Sequence, residues 1–374
     1  MLKYLGVRVD SRISCRPADS KTARRSWTQI PRSHSPRPTS KTKTTLHPHL
    51  ARRPAKRTFA FWLEPVAPFR LDLTVWALRR RPSNLIDRWD DRSYQRVLVI
   101  GEKPVEVSVR QTGLPETPRL QVSLAGKEIS VTEHTAVRKA LERLLGLRCD
   151  LGEFYELAAR DARLGPLVER FRGVKPPRFP TLFEALANAI ACQQMSLSLG
   201  ILLLSRLTQR FGLAARGTAG SFHAFPQPAE LAGLKPEDFR ELGFSRQKGR
   251  ALIELAQAFC KRPQEWAALD TSDNQAVAER LLELRGIGRW SAEYALLRGL
   301  GRLDVYPGDD VGARNNLKRW LGLRKALDYE GVRRITTRWQ PYAGLVYFHM
   351  LLDRLAAAGH VEPEKGITQP GGAR

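Results

Sequence analysis

Two glycines separated by one residue, Gly286-Ile287-Gly288, lie between two segments with helical spacing of apolar residues. Glycine permits the backbone angles of a tight turn and leaves no side chain to block a phosphate. A helix that ends at about Arg285 and a second that opens at Arg289 would place unpaired N–H groups and a positive dipole end at this turn. Arg289 adds a cation, so the pattern predicts an anion site. An ordinary corner between two helices is the simpler alternative.

Two adjacent acids, Asp309 and Asp310, follow about twenty residues later, directly before a helical stretch over 311–321. Aspartate is one of the best residues at a helix N-cap, so a capping role is the simplest interpretation. Two neighbouring acids could also divide the work, with one capping the helix and the other facing a groove.

The chain is strongly basic, with 62 Lys and Arg against 38 Asp and Glu and a formal net charge of +24. Residues 1–57 hold 15 of the basic side chains and 2 Asp, so the rest of the chain stays basic without them. This excess favours a polyanionic partner, either nucleic acid or an anionic membrane surface. No apolar run reaches the ~18 residues of a membrane span. The basic tail lacks an amphipathic helix, so we expect no membrane partner.

The stretch LRGIGRWSAEYALLRG followed by DVYPGDD resembles the helix-hairpin-helix DNA glycosylases, most of all those of the bacterial 3-methyladenine DNA glycosylase II type. The similarity covers most of 58–360, although the N-terminal part matches only in outline. The resemblance implies that Asp310 is the catalytic carboxylate and that Asp309 is structural. It also implies a partner, double-stranded DNA with damaged bases, and a reaction, excision of the base in base excision repair.

The residue two positions after the second hairpin glycine separates subclasses of this family. Bifunctional members carry a lysine there, which forms a Schiff base with the sugar. This chain has Trp290, and the permanently protonated Arg289 cannot replace a lysine. The resemblance therefore implies a monofunctional enzyme that uses water, leaves an abasic site and has no lyase activity.

The resemblance implies no cofactor. Family members with an iron–sulfur cluster bind it through four closely spaced C-terminal cysteines, whereas the last cysteine of this chain is Cys260. A monovalent cation at the hairpin is compatible with the family. The four cysteines, far apart and without metal-ligand spacing, are expected to be idle thiols in a reducing compartment.

The family match places Trp290 and Tyr294 at the base pocket. They are four residues apart and share one face of the second helix. Electron-rich rings attract a positively charged N-alkylpurine, such as 3-methyladenine or 7-methylguanine, by about 0.5–2 kcal/mol. The alternative is that both rings belong to the apolar core.

A second block, residues 188–196 with the sequence NAIACQQMS, looks like the segment that fills the vacated base stack. By that match Gln193 lies in the minor groove and Gln194 is the wedge. The related enzyme has an apolar wedge, so Gln194 is a departure that leaves the lesion preference open. The alternative is a buried polar pair in the helical core.

Arg246 and Lys248 lie at a further turn-to-helix junction, over residues 242–250. They are predicted to contact phosphate, although a solvated basic face explains them as well. An aromatic stretch follows on the last long helix, and we expect most of it to be core with one residue reaching the pocket: Tyr342, Tyr347, Phe348 and His349.

The fold class predicted from these patterns is mainly α, in three parts. Residues 1–57 are expected to be a disordered basic tail, 58–150 a small α+β domain, and 151–366 an all-α helix-hairpin-helix glycosylase domain. The first domain has strand-like runs at 71–76, 96–100, 105–109 and 120–124 and a helix over 135–145. The second has helical spacing near 181–192, 196–211, 246–260, 274–284, 289–299, 311–320 and 342–357.

Three questions remain open at the level of sequence. Residues 1–57 are compatible with an organelle-targeting segment, a DNA-binding tail or a translation start site placed too far upstream. If the protein is bacterial, we expect it in the cytoplasm, associated with the nucleoid. Nothing requires more than a monomer. The function alternatives are a glycosylase for oxidised or deaminated bases and a non-catalytic helix-hairpin-helix DNA-binding protein, which would need neither Asp310 nor Trp290.

Overall fold

A five-stranded antiparallel sheet forms the N-terminal part of the computed structural model, which describes residues 58–125, 130–215 and 222–363. Its strand order is β1-β5-β4-β3-β2. The strands are β1 (Thr58–Leu63), β2 (Arg88–Trp89), β3 (Ser93–Ile100), β4 (Lys103–Gln111) and β5 (Leu120–Ala125). The predictions for residues 1–57 lie outside the described residues.

Alternating burial explains why β4 is a strand. Val105, Val107 and Val109 are buried on one face, and the residues between them are half-buried. Val107 pairs with Leu124 of β5, whose side chain is buried on the same face. The three predicted strands over 96–100, 105–109 and 120–124 are thus confirmed, whereas β1 and β2 were not predicted.

The predicted strand over 71–76 is wrong, because these residues form the helix α1 (Leu71–Arg79). Eight of its nine residues are buried, against the sheet on one side and the C-terminal helices on the other. A helix that is buried all round has no polar face, so its sequence cannot be distinguished from a buried strand by periodicity.

The helix α2 (Val131–Leu145) begins four residues before the predicted start at 135. Its beginning is set by a capping box, in which the Ser130 hydroxyl accepts from the Glu133 N–H and the Glu133 carboxylate accepts from the Ser130 N–H. These contacts stabilise a first turn that carries no buried apolar residue, which is why apolar spacing missed it.

The described part of the chain beyond residue 151 is helical apart from one isolated bridge between Ala214 and His223. All seven predicted helices are present within a few residues, although the one predicted over 289–299 is α12 followed by a π-helical turn. The helices are α3 (Gly152–Ala159), α4 (Leu164–Arg170), α5 (Leu182–Cys192), α6 (Leu197–Phe211), α7 (Pro228–Ala232), α8 (Pro236–Glu241), α9 (Arg246–Lys261), α10 (Pro263–Ala268), α11 (Asn274–Leu282), α12 (Arg289–Ala295), the π turn (Leu296–Leu300), α13 (Val311–Trp320), α14 (Tyr329–Thr336), a 3-10 turn (Thr337–Trp339) and α15 (Ala343–Ala357).

Buried contacts join the sheet to the helices that carry the predicted site. The apolar cluster under the sheet includes Ala189 of α5 and Tyr294 of α12. A buried ion triad adds a polar link, since Arg96 of β3 pairs with Asp87 at 2.6 Å and with Glu184 of α5 at 2.6 Å. The described residues form one compact unit, and the predicted division at residue 150 stays a prediction.

No helix among the described residues has the length and apolar character required to cross a lipid bilayer.

Candidate active site

The glycine hairpin joins α11 to α12. The first helix ends at Leu282, three residues before the predicted end, and the second begins at Arg289 as predicted. Gly286 has φ +79°, a left-handed conformation that favours glycine, and Ile287 is buried in the helical core. Gly288 is the N-cap of α12, and a side chain placed there would meet open space. The hairpin is therefore anchored by Ile287 and open on its Gly288 side.

Asp310 is the N-cap of α13 and is half-buried. Its Oδ1 accepts from the Ala313 N–H at 2.8 Å, and its Oδ2 accepts from Trp290 Nε1 at 3.2 Å. The same side chain thus caps the helix and lines a cavity, whereas the sequence had left a cap and a groove-facing acid to be divided between two residues. Asp309 instead forms an ion pair with Arg289, with Oδ2 2.6 Å from Nε.

A cavity of about 1110 Å³ brings the predicted residues together. Asp310, Trp290 and Tyr294 line it, as do Gly288, Arg289, Gln193 and Gln194 from the two predicted DNA-contact blocks. Gly286, Ile287, Arg246 and Lys248 do not belong to its lining. A volume of this size accommodates a nucleobase with part of its sugar.

Trp290 and Tyr294 form one wall of the cavity, with ring centroids 5.6 Å apart. Trp290 is half-buried, whereas Tyr294 is only 2% exposed and belongs to the apolar cluster under the sheet. The Tyr294 hydroxyl donates to Asn188 Oδ1 at 2.9 Å, and burial raises the pKa of Tyr294. Tyr294 is therefore both a core residue and part of the cavity wall.

The aromatic stretch on α15 contributes one residue to the cavity, Tyr347. Tyr347 is 8% exposed and contacts Tyr306 edge to face, with centroids 5.9 Å apart. Phe348 and His349 are fully buried. Burial also lowers the pKa of His349 to about 4, although its Nδ1 lies 2.8 Å from the Leu345 carbonyl.

Gln194 is exposed and has φ +52°, a conformation that is uncommon outside glycine. It is not part of a buried polar pair, so that alternative is wrong for this residue. Gln193 is half-buried, and its Nε2 donates to the Gly286 carbonyl at 2.6 Å and to Ser291 Oγ at 2.9 Å. The Gln193 side chain thus links the end of α5 to the hairpin.

The two basic residues of the 242–250 junction have partners within the protein. Lys248 Nζ donates to the carbonyls of Ala191 and Gln193, at 2.9 and 2.7 Å, and stabilises the C-terminal end of α5. Burial lowers the pKa of Lys248. Arg246 is exposed and pairs with Glu237 at 3.0 Å. Their contacts with DNA stay predictions.

Glu293 holds the loop that carries Asp310, a role that sequence reasoning missed. Its Oε2 accepts from the Gly308 N–H at 3.0 Å, and its Oε1 accepts from the Tyr329 hydroxyl at 2.7 Å. Burial raises the pKa of Glu293. A glutamate one residue before Tyr294 on a helix carries no sequence signal, because only the fold brings the loop over it.

Four further cavity-lining residues were not predicted from the sequence, because they lie outside the two predicted blocks: Arg80, Arg81, Met350 and Arg354. Asn188 lay within the block over 188–196 but had no assigned role. It now stands out as a shared acceptor for two cavity residues, Arg80 and Tyr294.

The described ranges contain no group of three or more His, Cys, Asp or Glu side chains arranged to hold a metal ion. Cys149 and Cys192 are half-buried and Cys260 is exposed, and all three are free thiols. The prediction for Cys15 lies outside the described residues.

Comparison with known proteins agrees with this geometry. A family model described as "HhH-GPD superfamily base excision DNA repair protein" matches residues 187–341, which include the hairpin, α12 and Asp310. Residues 187–341, less than half of the chain, are thus similar to that superfamily. The resemblance noted from the hairpin and the aspartate is thereby confirmed.

Three relatives match beyond that domain. DNA-3-methyladenine glycosylase 2 of Escherichia coli is 28% identical over 286 residues, 76% of this chain and 93% of that protein. DNA-3-methyladenine glycosylase of Bacillus subtilis is 23% identical over 75% of this chain and 93% of its own length. The structure of 3-methyladenine DNA glycosylase from Archaeoglobus fulgidus matches with a TM-score of 0.69 and 26% identity, over 79% of this chain and 98% of that one. The similarity therefore includes the N-terminal sheet.

Proposed function

We propose that this protein is a DNA glycosylase that hydrolyses the N-glycosyl bond of alkylated purines in double-stranded DNA. The observation that carries the proposal is the Asp310 carboxylate, held beside Trp290 and next to the hairpin in a cavity large enough to admit a nucleobase. The names of the relatives from three organisms support the same substrate class. A non-catalytic DNA-binding protein would need the hairpin but not this cavity.

The base must leave the duplex before Asp310 can act, at a cost of a few kcal/mol. An N-alkylated purine carries positive charge and departs neutral, so its expulsion needs little acid catalysis. The sugar becomes oxocarbenium-like, and the Asp310 carboxylate stabilises the charge that develops at C1′. The bonds from Ala313 and Trp290 fix the carboxylate in advance, so no reorganisation is needed during the reaction.

Water is the proposed nucleophile, because Trp290 occupies the position at which bifunctional members of the family carry lysine. The product is then an abasic site with an intact strand. Asp310 chemistry of this kind requires no metal or redox group, so we propose that the enzyme acts without a cofactor. A monovalent cation at the hairpin stays a prediction, and the Gly286 carbonyl there already accepts from Gln193.

The DNA backbone is proposed to bind at the open side of the hairpin. The N-terminal turn of α12 would meet a phosphate. Arg289 would add positive charge there once its guanidinium moves away from Asp309 or pairs with Asp309 and the phosphate together. Gln194 is exposed and lines the cavity, and it would fill the vacated stack. We further propose that one protomer is sufficient and that the protein acts at the nucleoid if bacterial; targeting by residues 1–57 stays an open prediction.

The test is chromatography of free bases released from methylated duplex DNA by the whole chain, with unmethylated DNA as the control. The expected result is release of 3-methyladenine and 7-methylguanine without strand cleavage and without a borohydride-trapped adduct. A trapped adduct would contradict the monofunctional mechanism. DNA binding without release of any base would instead support the non-catalytic alternative.

A further inference from the structure

Arg80 brings a positive charge into the cavity from the N-terminal part of the chain. It follows the last residue of α1 and adopts φ 60° and ψ −19°, a left-handed conformation that is rare for a residue with a side chain. The residue is 5% exposed and lines the cavity together with Asp310. Non-glycine residues in such conformations concentrate at functional sites, where the surrounding structure holds them.

The Arg80 guanidinium is only partly satisfied. Its Nη2 donates to Asn188 Oδ1 at 2.8 Å, and its Nε is buried without a hydrogen-bond partner in the described part of the chain. Burial opposes its charge, but Tyr294, Cys192, Tyr347 and Asp310 act in the opposite direction and hold its pKa above the ordinary value. The cavity therefore contains a guanidinium that stays charged.

A second guanidinium lies on Tyr294. Arg298 is fully buried, its Cζ is 5.7 Å from the centroid of the Tyr294 ring, and its Nη2 donates to the Ala77 carbonyl at 2.8 Å. The Cζ of Arg80 is 5.9 Å from the same centroid. The Tyr294 ring thus already has two cations near it, and this reduces the attraction that the ring can offer to a cationic base.

These contacts place Arg80 within reach of a base in the cavity. Asp310 Oδ2 lies 3.2 Å from Trp290 Nε1, the Trp290 and Tyr294 rings are 5.6 Å apart, and Arg80 adjoins Tyr294. A base that stacks on Trp290 with its sugar near Asp310 would share the cavity with Arg80, which belongs to the same lining. An arginine opposite a base edge donates well to the O6 and N7 acceptors of an oxopurine.

We propose that Arg80 is a specificity-determining residue that disfavours positively charged bases and favours neutral bases with acceptor atoms on the edge that faces it. The inference rests on the proposed glycosylase function, whose substrate class it refines. A deaminated purine such as hypoxanthine has the favoured chemistry, whereas an N-alkylpurine cation must approach a guanidinium in a cavity of low dielectric.

The first experiment measures binding without catalysis. Wild type, Arg80→Met and Arg80→Lys are titrated with 9-methylhypoxanthine, which is neutral, and with 3,9-dimethyladeninium, a permanent cation, and the dissociation constants are measured by isothermal titration calorimetry. Arg160→Met is the control, since it removes an arginine of an exposed ion pair with Glu156 that does not line the cavity. Thermal unfolding shows whether each variant is folded.

Wild type is expected to bind the neutral base more tightly than the cation. Arg80→Met should shift the ratio of the two dissociation constants about tenfold in favour of the cation, equivalent to about 1.4 kcal/mol. Arg80→Lys and Arg160→Met should stay within about threefold of wild type. An unchanged ratio in folded Arg80→Met, or a preference of wild type for the cation, overturns the proposal. If Arg80→Met does not fold, the wild-type preference decides.

The second experiment measures excision of hypoxanthine and 7-methylguanine from duplexes of one sequence. Excision of both bases, with a ratio that Arg80→Met shifts about tenfold toward 7-methylguanine, supports both proposals. Excision with an unchanged ratio overturns the role of Arg80 alone. No excision by wild type, together with the expected binding ratios, overturns the glycosylase function and leaves the charge selectivity of the cavity standing.

Discussion

Replacing Asp310 by asparagine and by alanine should separate its two roles. The cap depends on Oδ1, which accepts from the Ala313 N–H at 2.8 Å. Asparagine keeps that acceptor and is as good an N-cap as aspartate, so Asp310→Asn should retain the cap. Alanine loses it, at about 1 kcal/mol of unfolding free energy. The charge is lost in both variants.

The loss of charge should dominate the chemistry. A carboxylate about 4 Å from the developing charge at C1′ contributes about 4 kcal/mol at an effective dielectric of about 20, which corresponds to roughly a thousandfold in rate. Asp310→Asn also turns an amide donor toward Trp290 Nε1, whose bond to Oδ2 is 3.2 Å long in the wild type. Losing that bond in a half-buried position should cost about 0.5–1.5 kcal/mol.

Single-turnover release of 7-methylguanine from a duplex gives the rate, and urea unfolding gives the stability. Both variants should lose about a thousandfold in rate, while Asp310→Asn stays within about 1.5 kcal/mol of wild type in stability. Binding to a duplex with an abasic analogue should change little. Release by folded Asp310→Asn within tenfold of the wild-type rate would refute the assignment of Asp310 as the catalytic carboxylate.

Three further perturbations test other parts of the structure. Arg96→Met should cost about 3–5 kcal/mol of unfolding free energy by urea, because it leaves two buried carboxylates, Asp87 and Glu184, without their cation. Gln194→Gly should slow excision but not destabilise the protein, because glycine tolerates the φ of +52° and the exposed side chain is lost. His349, with its pKa lowered by burial to about 4, binds a proton more readily in the unfolded chain. The contribution of neutral His349 to the free energy of unfolding is complete above about pH 6.5, and the free energy of unfolding falls by about 3 kcal/mol as the pH is lowered toward 4.

Each of these predictions has a matched control. Arg160→Met removes an arginine from an exposed ion pair with Glu156 and should change stability by no more than about 0.5 kcal/mol. Gln194→Ala keeps the backbone strain, so excision as slow as in Gln194→Gly assigns the defect to the side chain. Unfolding of His349→Leu should depend less steeply on pH between 6.5 and 4 than unfolding of wild type. Equal slopes would contradict the role of His349.

The sequence was most informative where chemistry depends on a local pattern. The hairpin glycines, the start of α12 and Asp310 all lie within one block of the chain, and the family resemblance of that block implied that they belong to one site. The helices with one apolar face, such as α9 and α13, were predicted for the same reason. By contrast, α1 is buried on all sides, and its alternating apolar residues were mistaken for a strand.

The rest of the site could not be predicted, because its residues meet only in the folded chain. Arg80 and Asn188 are 108 positions apart, yet they share a hydrogen bond beside Tyr294. Lys248 was predicted to contact phosphate because it lies on a basic junction, but the end of α5 lies close enough to provide two carbonyl acceptors. A charge count cannot show whether a lysine faces solvent or a neighbouring helix end.

The case of Asp310 shows why a capping role and a catalytic role are compatible in this fold. A catalytic carboxylate must be fixed and must keep its charge, and a helix N-terminus supplies both a donor and a favourable dipole. The Ala313 N–H occupies one oxygen and Trp290 Nε1 approaches the other, so the cavity wall that would hold the base also orients the carboxylate. The cap that seemed the simplest explanation of an aspartate before a helix would therefore also help to prepare Asp310 for its proposed role in catalysis.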